Sequence, residues 1–149
     1  MFKDILVPVD GSAPSDAAVK LAAKVAAGEH AKVTFAHVVE IGKLAAMAAP
    51  SSLDPAFALD AARTAGEELL ARAKASAASA HLKVATILLE GDTVEALLDL
   101  TRSQTFDLII VGSHGRGGIS RAILGSVAEG ILRRASIPVL VTHAPRSAT

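Results

Sequence analysis

The sequence predicts an α/β fold, a three-layer, doubly wound, five-stranded parallel sheet in the strand order 3-2-1-4-5. Three observations carry this expectation. Short apolar runs alternate with helical stretches along the whole chain. The runs are continuously apolar, as expected of strands covered on both faces by helices. The 149 residues, 51% of them hydrophobic, suffice for a substantial core in one domain over residues 1–149, with no internal repeat.

Ile5-Leu-Val-Pro-Val9 reads as the first strand and runs into Asp10-Gly11-Ser12. Pro8 removes a ladder donor, so a local irregularity is expected there. A helix from about Ser15 to Ala27 sets Ala18, Leu21, Ala22 and Val25 on one face, and Gly28 is expected to stop it. Lys32 to Val39 is the second strand. Glu40 to Pro55 contains Gly42, Pro50, Ser51 and Ser52 and reads as a mobile surface loop. A long helix from about Asp54 to Ala80 turns Leu59, Ala62, Leu69 and Ala73 toward the core. Leu82 to Glu90 is the third strand. Asp92 as N-cap, with Glu95 at N3, opens a helix whose Val94, Leu97, Leu98 and Thr101 share a face.

Leu108 to Val111 is the fourth strand, and it empties into a loop holding Gly112, Gly115, Gly117 and Gly118. Ser126, with Glu129 three residues on, forms a capping-box pattern, so a helix is expected from Ser126 to about Arg134. Ile137 to Thr142 is the last strand. It should lie at the sheet edge, where Pro138 is tolerated and unpaired backbone groups invite a partner. The tail from Ala144 to Thr149 is expected to fray.

Composition excludes several functions. Fifteen basic and fifteen acidic residues cancel, so no overall field steers the chain to nucleic acid or to anionic membrane. Aromatics are 3%, with no Trp or Tyr, which leaves few platforms for stacked bases. The absence of cysteine removes thiol catalysis, disulfides and thiolate metal sites. No apolar run reaches membrane-spanning length and Met1-Phe-Lys-Asp-Ile-Leu lacks a signal-peptide pattern, so no membrane insertion and a cytoplasmic location are expected.

In a doubly wound sheet ligands bind beyond the carboxyl ends of the strands, where the strand order reverses. Here that point lies between strands one and four, which end near Asp10 and Gly112. Glycines allow a ligand close to the main chain, and free N–H groups at a helix start form an anion site. The residues alone therefore suggest a phosphate cradle, although glycines in a loop also serve plain turns. The loop is neither a Walker A sequence nor a dinucleotide fingerprint, and Gly112-Ser-His-Gly115 is not the G-x-S-x-G of a serine hydrolase.

The order of residues is more specific. Gly112-Ser-His-Gly115, nine residues, then Gly125-Ser126 is combined with Val7-Pro-Val-Asp-Gly-Ser12 and Ile137-Pro-Val-Leu-Val141. This combination closely resembles the universal stress protein family, and its ATP-binding branch in particular, over Phe2 to Val141. The resemblance implies the adenine nucleotide alpha hydrolase-like fold and a nucleotide site formed by Pro8, Val9, Asp10, Val38, Gly112, His114, Gly115, Arg116, Gly125, Ser126 and Val127. Asp10 would hydrogen-bond the ribose hydroxyls, and Val38 would meet the adenine through its main chain. Gly112 and Gly115 would leave room for the ribose and α-phosphate. Gly125 and Ser126 would bind the outer phosphates through backbone N–H groups and the Ser126 hydroxyl. Ala128 stands where some ATP-binding relatives carry a hydroxyl.

Each residue also has a plainer reading. Asp10 with Gly11 can shape a turn or cap the first helix, and Ser126 can be only a helix cap. His114 either donates to the ligand or is a loop residue facing solvent. Arg116 and Arg121 could neutralise phosphate charge, whereas Arg133 and Arg134 suit a helix C-terminus without any ligand. The remaining histidines are scattered, so a protein metal site is not expected. Any Mg²⁺ would arrive with the triphosphate and keep several waters. The reading that follows is an ATP-binding cytoplasmic regulator of stress response with no catalytic residue assigned, homodimeric through residues 137–142. The alternatives are a slow ATPase or phosphotransferase, and a ligand-free protein–protein adaptor.

Overall fold

The computed structural model describes residues 1–50, 52–78, 81–114 and 123–145. The elements in chain order are β1 (Asp4–Pro8), α1 (Ala13–Glu29), β2 (Lys32–Val39), α2 (Ile41–Ala48), α3 (Pro55–Ser76), β3 (Lys83–Glu90), α4 (Thr93–Ser103), β4 (Leu108–Gly112), α5 (Ser126–Arg134) and β5 (Val139–Thr142). The five strands form one parallel sheet in the order β3-β2-β1-β4-β5, as the alternating pattern implied.

Because successive strand residues face opposite sides, each apolar run supplies two cores. Ile5, Val7, Val33, Phe35, Leu108 and Ile110 pack with Ala18, Val19, Ala22 and Ala26 of α1 and with Leu69, Leu70 and Ala73 of α3. Leu6, Ala36, Val38, Ile109 and Val111 pack on the other side with Leu97 and Leu100 of α4 and with Ala128 and Ile131 of α5. Phe35 is fully buried at the centre of the first core, and truncating such a ring to Ala costs about 3–5 kcal/mol. Among the described residues no helix is long and apolar enough to cross a membrane.

Pro8 shows where the expected irregularity goes. The ladder between β1 and β2 continues to Pro8, opposite Ala36, and Val9 N–H still donates to the Ala36 carbonyl at 2.8 Å. The ladder between β1 and β4 stops at Leu6, opposite Ile109. Hydrogen bonds along a parallel strand alternate between its two neighbours, so the donor that Pro8 lacks is the one that would face β4. Pairing between β1 and β4 therefore ends at Leu6, and the crevice described below lies beyond it.

Several boundaries differ from the sequence reading. Gly28 does not stop α1, which runs through Glu29 and is closed by His30 in the left-handed region at φ 55°. Its start is also earlier, with Ser12 as N-cap accepting from Ser15 N–H and a proline in the first turn. The segment expected to be a mobile loop, Glu40 to Pro55, contains α2. Ile41, Leu44, Ala45 and Ala48 recur at helical spacing there, and Ala48 is buried. α3 ends at Ser76 rather than near Ala80, and β5 begins at Val139 rather than Ile137. Asp92 caps α4 as expected, accepting from Glu95 N–H at 3.0 Å. The reciprocal half of that capping box is missing, because the Glu95 carboxylate is taken by Arg134 of α5 at 2.5 Å.

Candidate functional site

The crevice at the end of β1 and β4 is a cavity of about 870 Å³, within the range that holds a drug-sized ligand. Its walls come from the end of β1, the end of β2, the end of β4, the start of α5, and one face of α2. Nine of the eleven residues expected from sequence line it: Pro8, Val9, Asp10, Val38, Gly112, His114, Gly125, Ser126 and Val127. The other two, Gly115 and Arg116, lie outside the described residues, as does Arg121.

The β1 end is a tight turn. Gly11 takes φ 80°, and the Asp10 carboxylate accepts from Ser12 N–H at 2.9 Å. Asp10 N–H donates to the Ser15 hydroxyl at 3.1 Å. One carboxylate oxygen of Asp10 thus shapes the turn, as its plainer reading allowed, while the residue still lines the cavity.

Gly112 is needed for a reason other than ligand room. A Cβ there would stand 2.7 Å from the Pro14 carbonyl carbon and 2.8 Å from both its oxygen and Ser15 N. The missing side chain lets β4 come against the first turn of α1. That contact brings the β1 turn and the β4 end to the same wall.

At the α5 end the cap is Gly125, not Ser126. Ser126 is the first helical residue, and the Gly125 carbonyl accepts from Glu129 N–H at 2.9 Å. No capping box forms, since the Glu129 carboxylate pairs with Arg133. Gly125 N–H is also spent, donating to the Ser113 carbonyl at 2.7 Å. The next three amides, of Ser126, Val127 and Ala128, have no intrahelical acceptor and receive none from the described residues. The open amides are therefore displaced one residue along from the expected set. These three need no hydroxyl at position 128, where Ala128 is buried in the second core.

Sequence reasoning missed several lining residues, among them the polar side chains of His37, Glu40, Lys43 and Thr93. His37 Nδ1 lies 2.7 Å from the Val9 carbonyl; a carbonyl only accepts, so Nδ1 carries the proton and ties β2 to the end of β1. Glu40 accepts from the Thr93 hydroxyl at 2.5 Å and pairs with Lys43. Burial raises the Glu40 carboxyl, but the hydrogen bonds from Lys43 and Thr93, with the Lys43 charge, outweigh it and hold the group below its ordinary value. This cluster pins the start of α2 to the start of α4, so that Lys43, Leu44 and Met47 roof the cavity. The apolar spacing within residues 41–48 was the available signal. For His114 the sequence allows either a ligand contact or a solvent-facing loop position. Its Nδ1 meets the Ser113 hydroxyl at 2.9 Å and its Nε2 is buried, while the residue as a whole is half-buried. Among the described residues no group of three or more His, Asp or Glu side chains stands together as a metal site.

The parallel sheet in this order, with its crevice at the reversal point, defines a class: doubly wound α/β proteins that take ligands beyond their strand ends. A model of the universal stress protein family matches residues 1–143. A universal stress protein of Methanocaldococcus jannaschii is 32% identical over 146 residues, covering 98% of this chain and 85% of that relative. The chain belongs to the universal stress protein family. Among solved structures, a family member from Burkholderia pseudomallei is 31% identical with a TM-score of 0.75, covering 93% of this chain and 94% of that one. A universal stress protein solved in complex with cAMP is 29% identical with a TM-score of 0.63, covering 97% and 98% of the two chains.

Proposed function

We propose that this protein binds an adenine nucleotide, with ATP as its ligand, and acts in the cytoplasm as a nucleotide-holding regulator of stress response. The observation that carries this reading is the convergence, in one cavity, of the Asp10 turn, the β2 end at Val38, and the open amides of Ser126, Val127 and Ala128. A carboxylate suits two ribose hydroxyls, and amides at a helix start suit phosphate oxygens. The apolar wall formed by Val38, Leu44, Met47 and Leu97 suits a base. His114 lines the same cavity, and its buried Nε2 has no hydrogen-bond partner among the described residues. The family relative solved with cAMP supports an adenine nucleotide more broadly than ATP alone.

Phosphate release is expected to be slow. Lys43, the lysine or arginine that lines the cavity among the described residues, is tied to Glu40. Phosphoryl transfer wants a free cation on the outer phosphates. Mg²⁺ would enter with the triphosphate, and Gly115 and Arg116 belong to the proposed site by resemblance. We also propose a homodimer through residues 137–142, because β5 is an edge strand.

The test is thermal unfolding of the full chain with Mg-ATP, AMP and cAMP in parallel. Ligand at a hundred times its Kd adds about 2.7 kcal/mol, or on the order of 5–10 °C for a chain of this size. No shift with any of the three would contradict the reading and favour a ligand-free adaptor. Light scattering should return twice the 15.2 kDa chain mass; a monomer at micromolar concentration would refute the dimer.

A further inference from the structure

Among the described helices α2 is the least secured, and it stands over the cavity. It has eight residues, and helices this short are marginal in water on their own. Its N-cap, Glu40, gives it no side-chain hydrogen bond, whereas Ser12, Asp54 and Asp92 each cap the helix they open. Gly42 lies within it, where a glycine costs helix stability. Ala48 is its one buried residue, while α5, of nine residues, buries Ala128 and Ile131. The other helices pack against strands; the chief neighbour of α2 is α3.

This weakly held helix nevertheless supplies part of the cavity wall. Lys43, Leu44 and Met47 line the cavity, and Met47 is 74% exposed, a large apolar side chain open to solvent rather than packed in a core. Beyond its packing on α3, the helix is tied to the fold at its start, where the Thr93 hydroxyl of α4 donates to Glu40 at 2.5 Å. Lys43 pairs with Glu40 from within the same segment, so that ion pair adds no hold on the other elements. A segment with few buried contacts opens locally at a free energy well below that of global unfolding. When α2 opens, the wall made by Lys43, Leu44 and Met47 goes with it.

We propose that α2 is a gate on the cavity: nucleotide enters and leaves when this helix opens, and the hydrogen bond from Thr93 to Glu40 is its latch. The gating rests on the nucleotide reading above; the low local stability of α2 and the latch do not. The open fraction of α2 then sets how fast nucleotide exchanges, while the contacts in the cavity set how tightly it is held.

Two measurements on the full chain test this. Amide hydrogen exchange of the ligand-free protein reads the opening itself. There α2 should exchange faster than α1 and α4, and faster still in Thr93→Val, which removes the latch. Protection of α2 equal to that of α1 and α4 would overturn the low stability, and an α2 rate unmoved by Thr93→Val would overturn the latch. Titration of the ¹⁵N-labelled chain with Mg-ATP, followed by line shape, gives on- and off-rates and tests the gate. Gly42→Ala and Ala46→Gly change helix propensity in opposite directions. Both positions are exposed and neither lines the cavity, and a Cβ at Gly42 meets nothing within 4 Å. Each change acts alike on the free and the bound protein, so Kd should stay as it is. Both rates should fall together by about 2- to 5-fold in Gly42→Ala and rise by a similar factor in Ala46→Gly. Unchanged rates, or a change in the off-rate alone, would make α2 a fixed wall and overturn the gate. A wild type that does not bind Mg-ATP refutes the nucleotide reading itself, and the gate with it, while hydrogen exchange still decides the stability of α2 and its latch.

Discussion

Replacing Gly112 by alanine probes the join on which the site is built. The added methyl would sit 2.7 Å from the Pro14 carbonyl carbon, and real Cβ atoms essentially never come within 3.0 Å of another heavy atom. Ordinary contact begins at 3.4 Å, so relief needs a retreat of about 0.7 Å. The atoms in the way belong to the backbone of α1, not to a side chain that could turn aside. Moving α1 disturbs the packing of Ala18, Val19, Ala22 and Ala26 on the sheet. Overpacking costs about 1–3 kcal/mol, and rigid backbone neighbours place this case in the upper half, about 2–3 kcal/mol. For a chain of this size that lowers Tm by roughly 4–12 °C. The assay is far-UV circular dichroism of the ligand-free protein, since the chain has no Trp or Tyr. A Tm within about a degree of wild type would refute the argument. Gly112 would then serve only as room for a ligand, and its loss would appear in ATP affinity alone.

Gly28→Ala should do the opposite: it lies within α1, a Cβ there meets nothing within 4 Å, and the gain is about 0.4–1 kcal/mol, read as a Tm rise. Asp10→Ala should weaken Mg-ATP binding by about 10- to 150-fold in calorimetry, with the fold checked by circular dichroism. Unchanged affinity would leave Asp10 with its turn alone. The Glu40 carboxyl lies below its ordinary value, so its contribution is present above the unfolded-state value and lost as pH falls through the folded-state value. Hydrogen exchange of α2 should therefore speed up relative to α1 on acidification through that window. Glu40→Gln should remove that pH dependence, and its persistence in this variant would point to another group.

The layers and the strand order were legible because the five strands are largely apolar runs separated by helical ones. Such a pattern has few topologies open to it. Element ends were less legible. Gly28 resembles a stop, yet a glycine near a helix end is tolerated at modest cost, and His30 closes the helix instead. α2 was hidden because Gly42 and the nearby prolines and serines dominate the composition of residues 40–55, while its apolar stripe spans only eight residues. Within the site, the positions near β1, β4 and α5 could be read because the chain carries them in short, spaced motifs. His37, Glu40, Lys43 and Thr93 could not, since their roles arise where elements distant in sequence meet, as Thr93 does with Glu40. The capping role of Ser126 was misassigned by one residue because Gly125 can serve as an N-cap without a side chain.

The most direct test is amide chemical-shift mapping of the ¹⁵N-labelled chain during titration with Mg-ATP. The expected result is saturable movement of Asp10, Val38, Ser126, Val127 and Ala128 together, with one shared Kd. Shifts confined to the separate groove near Lys20 and Arg72, or no shifts at all, would contradict it.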